Sequence, residues 1–424
     1  MSFVPEPLRI PAFRAYWIAR LAATIAQMAM VIVIGWQVYD IARETMDVKA
    51  AALRLGFIGL VQFVPLFAFS LVAGWAADRI DRRYIARAAV ALELGCAATL
   101  AIVASAGIMD LYWLYGIAAL LGVARAFAGP ALGALAPNLV PRALLPNAIA
   151  LSSIAWQSGT VVGPAIGGYL YAVSPATPYT VSAILFAVAL IGLFMIGAVE
   201  RPKREKSGNP WAEVGDGLRY VRRNRLVFGA ISLDLFAVLL GGATAMLPIF
   251  ARDVLHTGPE GLGHLRAAPA VGATLTAMWF AFRPLKTNVG VKMLVAVAVF
   301  GAATVVFGFS RSMPLSLACL FVLGAADMLS VYVRQSLIQI YTPDAMRGRV
   351  GAVSTLFISA SNELGEAESG FLAALVGPVV AVVGGGIGAI IVVGLWAWRF
   401  PELRLARSFE PPDVDPKLKA EPMP

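Results

Sequence analysis

The sequence is short of charge: only 14% of its 424 residues are Asp, Glu, Lys or Arg, against about 25% in soluble domains. It has only two cysteines and two histidines. Apolar residues make up 59% of the chain, where soluble domains average roughly 45–50%. This composition excludes an ordinary soluble domain and indicates a chain that lies mostly in lipid.

Few residues are suited to metal or nucleotide chemistry. Cys96 and Cys319 both lie inside apolar runs, where they predict small packing residues rather than a disulfide or a metal site. His256 and His264 have no metal-binding partner at a suitable spacing. The phosphate-binding pattern G-x-x-x-x-G-K-[ST] is missing, so transport driven by ATP is not expected. We therefore predict neither a cofactor nor a metal.

The net charge of +9 would suggest nucleic acid as the partner of a soluble protein. Here most basic residues stand in short segments between apolar runs, so membrane topology explains them better and no nucleic acid is expected. The first residues, 1–11, carry three prolines and no apolar segment of the kind found in cleaved leaders. We expect the first span to stay in the mature protein.

Twelve apolar segments are long enough to cross a bilayer, which takes roughly 20 residues. The predicted spans are 14–39, 53–76, 84–106, 110–138, 147–172, 177–198, 225–251, 261–282, 290–310, 314–341, 350–376 and 378–399. Basic residues concentrate in the connections after even-numbered spans, such as 79–87 and 201–225. The positive-inside rule then places both termini on the cytoplasmic side of a bacterial-type inner (plasma) membrane.

An internal repeat appears when the sequence is shifted by 202 residues. The aligned pairs include Gly122 with Gly324, Arg125 with Asp327, Pro141 with Pro343, Gly163 with Gly365 and Gly168 with Gly370. The shift is close to half the chain, so it predicts two similar halves of six helices in the same orientation.

The predicted fold is an all-α membrane protein with two pseudo-symmetric six-helix bundles. Its parts are an N-terminal bundle (1–198), a cytoplasmic linker (199–224), a C-terminal bundle (225–400) and a disordered cytoplasmic tail (401–424). The linker has Trp211, Val214, Leu218 and Val221 on one helical face, which indicates an amphipathic helix.

The connection after the second span contains a cluster of small and charged residues: Gly74, Asp78, Arg79, Arg82 and Arg83. A glycine near a helix end permits close approach, and Asp78 can accept from a helix N-terminus or an arginine across the interface between halves. We expect this cluster to control closure of the cytoplasmic side. An ordinary basic loop would explain the arginines but not the Gly-x-x-x-Asp spacing.

This segment resembles the G-x-x-x-D-R-x-x-R-R signature of the major facilitator superfamily, with Asp81 where glycine is commonest. Arg125 to Gly129 resembles the R-x-x-x-G element of the fourth span in that superfamily. The fifth span resembles the glycine-proline element of its antiporters and exporters, through Gly159, Gly163, Pro164, Gly167 and Gly168. The run from Tyr341 to Val350 is similar to the T-P-x-x-x-R-G-R-V stretch of its enterobactin-exporter-like and drug-efflux branch.

Charged residues inside spans are costly, so each is a functional candidate. The resemblance implies that spans four and ten line a central cavity, which makes Arg125 and Asp327 candidates for contact with substrate. Seven residues beyond Asp327 on the same helical stripe, Arg334 is expected either to pair with it or to share a substrate. The remaining cavity candidates are Asp234, Trp156 and Gln157.

The eleventh span carries Glu363, Glu366 and Glu368. Glu363 and Glu366 share a helical face at i, i+3, whereas Glu368 is turned away by roughly 140–160°. Neighbouring carboxylates repel each other when charged, which suits proton coupling. A structural pairing with arginines such as Arg334 is the alternative. In the third span, Glu93 is expected to be structural or lipid-facing, because the resemblance makes that span peripheral. Arg20 is expected to extend towards the cytoplasmic surface.

The resemblance implies a secondary active transporter rather than an enzyme. The leading hypothesis is a monomer that exports a small amphipathic molecule, such as a siderophore or a drug, by alternating access. Its other partners would be the lipid bilayer and protons, with the proton gradient as the energy source. Uptake and lipid movement between leaflets are alternatives within transport, and a non-transporting receptor or a membrane-embedded enzyme is the alternative outside it.

Overall fold

A computed structural model describes residues 5–197, 210–283, 285 and 287–409. Twelve long helices, α1 to α12, occur at the twelve predicted positions and confirm the all-α membrane fold. In order they are Pro11–Thr45, Val48–Arg79, Arg82–Ser105, Leu111–Leu135, Leu145–Val173, Thr177–Phe194, Arg225–Leu240, Gly258–Phe282, Val289–Phe309, Met313–Tyr341, Asp344–Val376 and Pro378–Arg399. A linker helix, Pro210–Arg223, separates α6 from α7. Within α2 and α11, the side chains of Asp78, Arg79 and Glu363, like the surroundings of Gly74, lie outside the described part.

Nine of the spans in the described residues are long and apolar enough to cross a membrane by composition alone. The remaining three helices, α5, α8 and α11, have 29, 25 and 33 residues, which also exceeds the length that a bilayer requires. Their lower apolar content has a structural reason: α5 packs against α8, and α11 packs against α2 of the other half. They face protein as well as lipid.

Short polar side chains fix where several helices begin. Asp47 precedes α2 and accepts from the N–H of Ala50 at 2.8 Å. Asp110 precedes α4 and accepts from the N–H of Trp113 at 3.0 Å. Such caps satisfy backbone donors that have no partner in the first turn. They define the tight turns between neighbouring spans.

Each half has its own apolar core. One core contains only residues between Phe13 and Ile196, and another only residues between Leu226 and Ala406. Because each half has six helices, both termini lie at one end of the bundle, which we call the terminal end. The opposite end, which we call the far end, carries the turns after α1, α3, α5, α7, α9 and α11.

The repeat appears in the packing of the two halves. A Cβ on Gly122 of α4 would lie 2.5 Å from the carbonyl oxygen of Gln62 on α2. The matching Gly324 of α10 lies just as tightly against the backbone of Pro269 on α8. Equivalent glycines thus allow equivalent pairs of helices to approach closely.

The linker and the tail differ in how they meet the C-terminal bundle. Val221 of the linker helix is buried, and with Leu218 it packs against α7, α10 and α11, as an amphipathic helix should. The side chains of Trp211 and Val214, and residues 198–209, lie outside the described part. The prediction of disorder from residue 401 is wrong for residues 401–409, because the short helix Pro401–Leu405 buries Leu403 completely in the core. The rest of the tail, 410–424, is not described.

The seventh span is broken, which the prediction of a single helix over 225–251 missed. Helix α7 ends at Leu240, and short helical turns continue to Val254. The break falls at Gly241 and Gly242, where a Cβ on Gly242 would lie 3.0 Å from the carbonyl oxygen of Gly365. Glycine is required because the backbone of α11 passes so close.

Candidate functional site

A cavity of about 510 Å³ lies between the two halves, midway along the helices. Both halves supply its wall. The charged and polar lining residues are Gln62, Arg125, Gln157, Thr160, Asp234, Thr244, Arg266, Asp327, Arg334, Ser361, Asn362 and Glu366. The cavity therefore brings together five of the six predicted cavity residues and one of the predicted coupling acids.

Arg334 of α10 and Asp234 of α7 form a buried ion pair in this wall. Their side chains are only 3% and 6% exposed, and Nη1 of Arg334 donates to Oδ2 of Asp234. Seven helical residues separate Asp327 from Arg334 by about 10 Å along α10. Asp234 comes from the neighbouring helix and lies directly beside the guanidinium. Arg334 therefore does not pair with Asp327, which was the first alternative. Its guanidinium is also not left for a substrate alone, because it is already paired with Asp234.

Arg125 of α4 faces the cavity from the other half. Its Nη1 donates to Oε1 of Gln62 on α2 at 3.0 Å. Behind it, Glu93 of α3 is only 2% exposed, and the positive charge of Arg125 acts on it. Burial of Glu93 excludes the lipid-facing alternative and favours a structural role. The Arg125 guanidinium thus links three helices of the first half.

The break in α7 creates a polar corner in the cavity. The carbonyl oxygen of Thr244, in the short 3-10 turn Ala243–Met246 after the break, accepts from Nη1 of Arg266 at 2.8 Å. Nη2 of Arg266 lies 3.7 Å from Oε1 of Glu366. Glu366 is therefore paired with an arginine, as the structural alternative required, but the partner is Arg266 rather than Arg334. Discontinuous helices with exposed carbonyls often mark the binding sites of transporters.

The other predicted coupling acids do not join Glu366. Glu368 is partly buried beside Ser369 and is not in the cavity wall. The side chain of Glu363 lies outside the described residues. Glu366 and Glu368 point in different directions from α11, as their spacing along the helix predicts.

Trp156 also stands apart from the cavity wall. Its ring is 42% exposed and lies 5.7 Å from the guanidinium carbon of Arg20. This cation–π contact joins α5 to α1 on the terminal side of the cavity. It gives Arg20 a partner within the protein, whereas the sequence predicted that it would extend to the membrane surface.

Reciprocal ion pairs join the two halves at the far end. Arg252, in the turn after α7, donates to the carboxylate of Asp40 at the end of α1. Arg43 lies 3.1 Å from the carboxylate of Asp253, to which Tyr39 also donates. Each half therefore supplies one acid and one base, and the four charges close the bundle at this end.

Glycines let the two halves touch close to these ion pairs. A Cβ on Gly56 of α2 would lie 2.7 Å from the Cα of Gly370 on α11. A Cβ on Gly168 of α5 would lie 2.9 Å from the Cα of Gly263 on α8. Gly168 and Gly370 are equivalent in the repeat, so the two interfaces are related by the pseudo-symmetry of the molecule.

The remaining glycines of the predicted packing element serve the first half alone. Gly159, Gly163 and Gly167 of α5 all face α1. A Cβ on Gly163 would lie 2.7 Å from the carbonyl oxygen of Ile25. Pro164 lies inside α5, next to this contact. The element thus holds α5 on α1, and only Gly168 reaches the other half.

A family profile described as transmembrane secretion effector matches residues 3–421. The chain belongs to this family of the major facilitator superfamily. The enterobactin exporters EntS of Shigella boydii and Escherichia coli are each 27% identical to it over 411 residues, covering 95% of either chain. The resemblance drawn from its motifs is confirmed.

Solved structures of superfamily transporters share the fold. A bacterial homologue of the human lysosomal transporter Spinster, inward-facing and occupied, has a TM-score of 0.71 at 14% identity, covering 93% of this chain and 98% of its own. A D-xylose–proton symporter has a TM-score of 0.69 at 14% identity, with coverage of 91% and 97%. Family and fold are those of transporters.

In this superfamily member, the described part of the loop signature serves the first half. Asp81, which stands where glycine is commonest, caps α3 by accepting from the N–H of Arg83 at 3.0 Å. Nη2 of Arg83 lies 2.6 Å from the same carboxylate, and its Nη1 donates to the carbonyl oxygen of Gly197. Arg87 donates to the carbonyl oxygen of Leu193 at 3.0 Å. Arg83 and Arg87 thus donate to carbonyls at the C-terminal end of α6. Arg82 lies nearby at the start of α3, and its part in gating stays a prediction.

Sequence reasoning missed several of the charged residues that matter. Arg266 lies inside the predicted eighth span, so the cost of a charge at membrane depth was an available signal for it. Asp40, Arg252 and Asp253 lie at span ends, where a charge draws no notice. The adjacent glycines after Leu240 were the one available signal of the break that brings Arg266 into the cavity.

Proposed function

We propose that this transporter exports a small amphipathic molecule, of the siderophore or drug class, in exchange for protons. The observation that carries the proposal is the charged cavity between the two halves, shut at the far end by the reciprocal ion pairs. Such a cavity, reached from one side at a time, is what alternating access requires. The relationship to enterobactin exporters favours export and a siderophore-like substrate.

The charge distribution supports one orientation of the protein in the membrane. Basic residues at the terminal end, such as Arg83, Arg87, Arg222 and Arg223, favour a cytoplasmic location for that end. The far end, which holds Asp40 and Arg252, then faces outwards and is closed.

A passage supports loading from the cytoplasm. Gly129 and Gly133 lie one and two turns from Arg125 towards the terminal end. Both are exposed, with open space where a Cβ would stand. With the terminal end in the cytoplasm, this open space supports an inward-facing state that could receive a substrate.

The cavity has the chemistry for both partners of an exchange. Arg125 and Gln157 present donors to a substrate from the first half. Asp327 and Glu366 present carboxylates from the second half, which suits proton coupling. Apolar surface between them, from Met28, Val31 and Phe300, would accommodate the apolar part of an amphipathic molecule.

The test is uptake of enterobactin into inverted membrane vesicles that contain the protein. An imposed gradient with an acidic lumen should drive accumulation against the enterobactin gradient, and collapsing the pH gradient should abolish it. Vesicles without the protein provide the baseline. Uphill movement that ignores the pH gradient would refute proton exchange. Accumulation only with the opposite gradient would indicate uptake into cells instead.

A further inference from the structure

A second, smaller space opens beside the cavity, between α7, α9 and α10. Its volume is about 10 Å³, close to the space that one water molecule occupies. Asp234, Asp327 and Ser330 supply its polar wall, and Val297 and Phe300 of α9 supply apolar surface. Asp327 also lines the main cavity, so this small space, which we call the α7–α10 crevice, communicates with it.

The charges around the α7–α10 crevice do not balance. Asp234 has Arg334 as its ion-pair partner. Among the residues that the structure describes, Asp327 makes neither a hydrogen bond nor an ion pair. Two carboxylates therefore share one guanidinium at membrane depth, which leaves one negative charge. An uncompensated charge there is costly, so one monovalent cation would neutralise the cluster.

Neighbouring elements do not supply that cation in the described structure. On α8 and α11, Arg266 and Glu366 pair with each other. On α4, Arg125 faces the cavity from the opposite half and donates to Gln62. Helix α9 presents apolar side chains to the crevice. The side chain of Glu363 on α11 lies outside the described part.

A buried hydroxyl points independently to a missing partner beside Asp327. Ser330 is only 3% exposed, and its Oγ has no hydrogen-bond partner within the described residues. Buried polar atoms are almost always hydrogen-bonded, because leaving one unpaired costs about 1–3 kcal/mol. Ser330 and Asp327 share the wall of the α7–α10 crevice.

We propose that the α7–α10 crevice is the site of the coupling cation, and that this cation is a proton held on the carboxyl of Asp327. The role of this proton in coupling rests on the proposed function, whereas its binding at Asp327 does not. A proton arriving through cavity water would bind a carboxylate oxygen of Asp327, whose O–H would then donate to Oγ of Ser330. A metal ion fits poorly, because hard cations take six or more oxygen ligands and this wall is largely apolar.

The protonation state of Asp327 would control its competition with Asp234 for Arg334. When Asp327 is protonated, Arg334 stays with Asp234, as in the structure. When Asp327 is charged, it attracts the guanidinium away from α7. Proton release at Asp327 would therefore change the contact between α7 and α10, on the side of the cavity that a substrate occupies.

The proposal can be tested without a substrate, by infrared difference spectroscopy on the purified full-length protein in lipid during a pH titration. The wild type should show the C=O stretch of a protonated buried carboxylic acid, and Asp327→Asn should remove it. Asp110→Asn is the matched control, because Asp110 is an exposed helix cap and asparagine caps equally well. That variant should retain the band.

Two further variants guard against misfolding of Asp327→Asn. Asp327→Glu should keep a titrating band. Ser330→Ala should shift the titration midpoint, because the Ser330 hydroxyl can accept from the protonated carboxyl and donate to the charged one. A band that persists in Asp327→Asn, or a midpoint unchanged in Ser330→Ala, would overturn the assignment. A band displaced by sodium ions at constant pH would do the same, in favour of a metal-ion site.

The outcomes also separate this inference from the proposed function. Enterobactin transport that ignores the pH gradient, together with an intact Asp327 band, would refute proton exchange and leave the cation site standing. Gradient-driven transport without an Asp327 band would overturn the site and leave the transport proposal intact.

Discussion

At the scale of single residues, Arg334 is the cation that lies nearest to two carboxylates, those of Asp234 and Asp327. It forms an ion pair with Asp234, and Asp327 lies close enough for both charges to act on it. Breaking a buried pair is costly chiefly because the remaining charge is left uncompensated. Loss of Arg334 and loss of Asp234 should therefore lower the stability of the protein by different amounts.

Arg334→Gln should destabilise the protein more than Asp234→Asn. The first change leaves two carboxylates without a cation, a loss of roughly 3–5 kcal/mol. The second leaves Asp327 as an alternative partner for the arginine. Thermal unfolding in detergent micelles would measure both variants.

The loss in Arg334→Gln should also depend on pH. Protonation removes the uncompensated negative charge, so the deficit should shrink as the pH falls and grow as it rises. Equal losses in the two variants, independent of pH, would contradict the shared role of Arg334.

The sequence identifies charged residues but not their partners. Arg125, Asp234, Asp327 and Arg334 stand out because each is a charge inside an apolar run. Their contacts depend on how separate helices cross, and a spacing along one helix could not reveal that Arg334 meets a residue 100 positions away. Paired charges at span ends gave no such signal at all.

At the scale of elements, the broken α7 links backbone structure to cavity chemistry. The 3-10 turn that follows the break, Ala243–Met246, carries the carbonyl of Thr244 that accepts from Arg266. Gly242 makes the break possible where α11 crosses, because its backbone lies against Gly365 and Ser369. One glycine thus determines both the course of α7 and the position of an arginine in the wall.

Gly242→Ala should destabilise the protein by roughly 1–3 kcal/mol through overpacking against α11. Removing the nearest obstacle with Ser369→Ala should restore part of the loss. Gly384→Ala on α12 is the control, because a Cβ there meets no atom within 4 Å. Thermal unfolding of these four variants, including the double variant, would measure the loss of stability relative to the wild type. A double variant no more stable than Gly242→Ala would show that the contact with Ser369 is not the cause.

Helices were the most predictable part of the fold. Hydropathy located all twelve spans, because a segment that crosses lipid must satisfy its backbone internally and be apolar for about 20 residues. The break at Gly241 lies within an equally apolar segment, so hydropathy could not detect it. The packed segment 401–409 was missed for the opposite reason: its prolines and charges hide Leu403, which only the folded core reveals.

At the scale of the whole molecule, the closed far end must open for a substrate to leave. Each half supplies one acid and one base to the two ion pairs there. Charge pairs of this partly exposed kind are individually weak, typically about 1 kcal/mol or less. A buried apolar cluster shared by the two halves, which includes Trp36 and Phe250, also contributes to closure at this end.

Reversing one charge of this end should shift the protein towards an outward-open state. Arg252→Asp would place an acid opposite Asp40, whereas the exchanged pair Asp40→Arg with Arg252→Asp would restore attraction. The readout is labelling of Thr160→Cys, in the cavity wall, by a membrane-impermeant thiol reagent added outside intact cells. The two native cysteines, Cys96 and Cys319, are both buried and would be replaced by alanine.

Labelling should rise in Arg252→Asp and return towards the starting level in the exchanged pair, because attraction between the halves at the far end is lost and then regained. The measurement also tests orientation, since it requires the far end to face outwards. If the exchanged pair labelled as strongly as the single variant, the ion pair would not be what closes this end. If none of the variants labelled from outside but all labelled from the cytoplasmic side, the reversal would not have opened the far end.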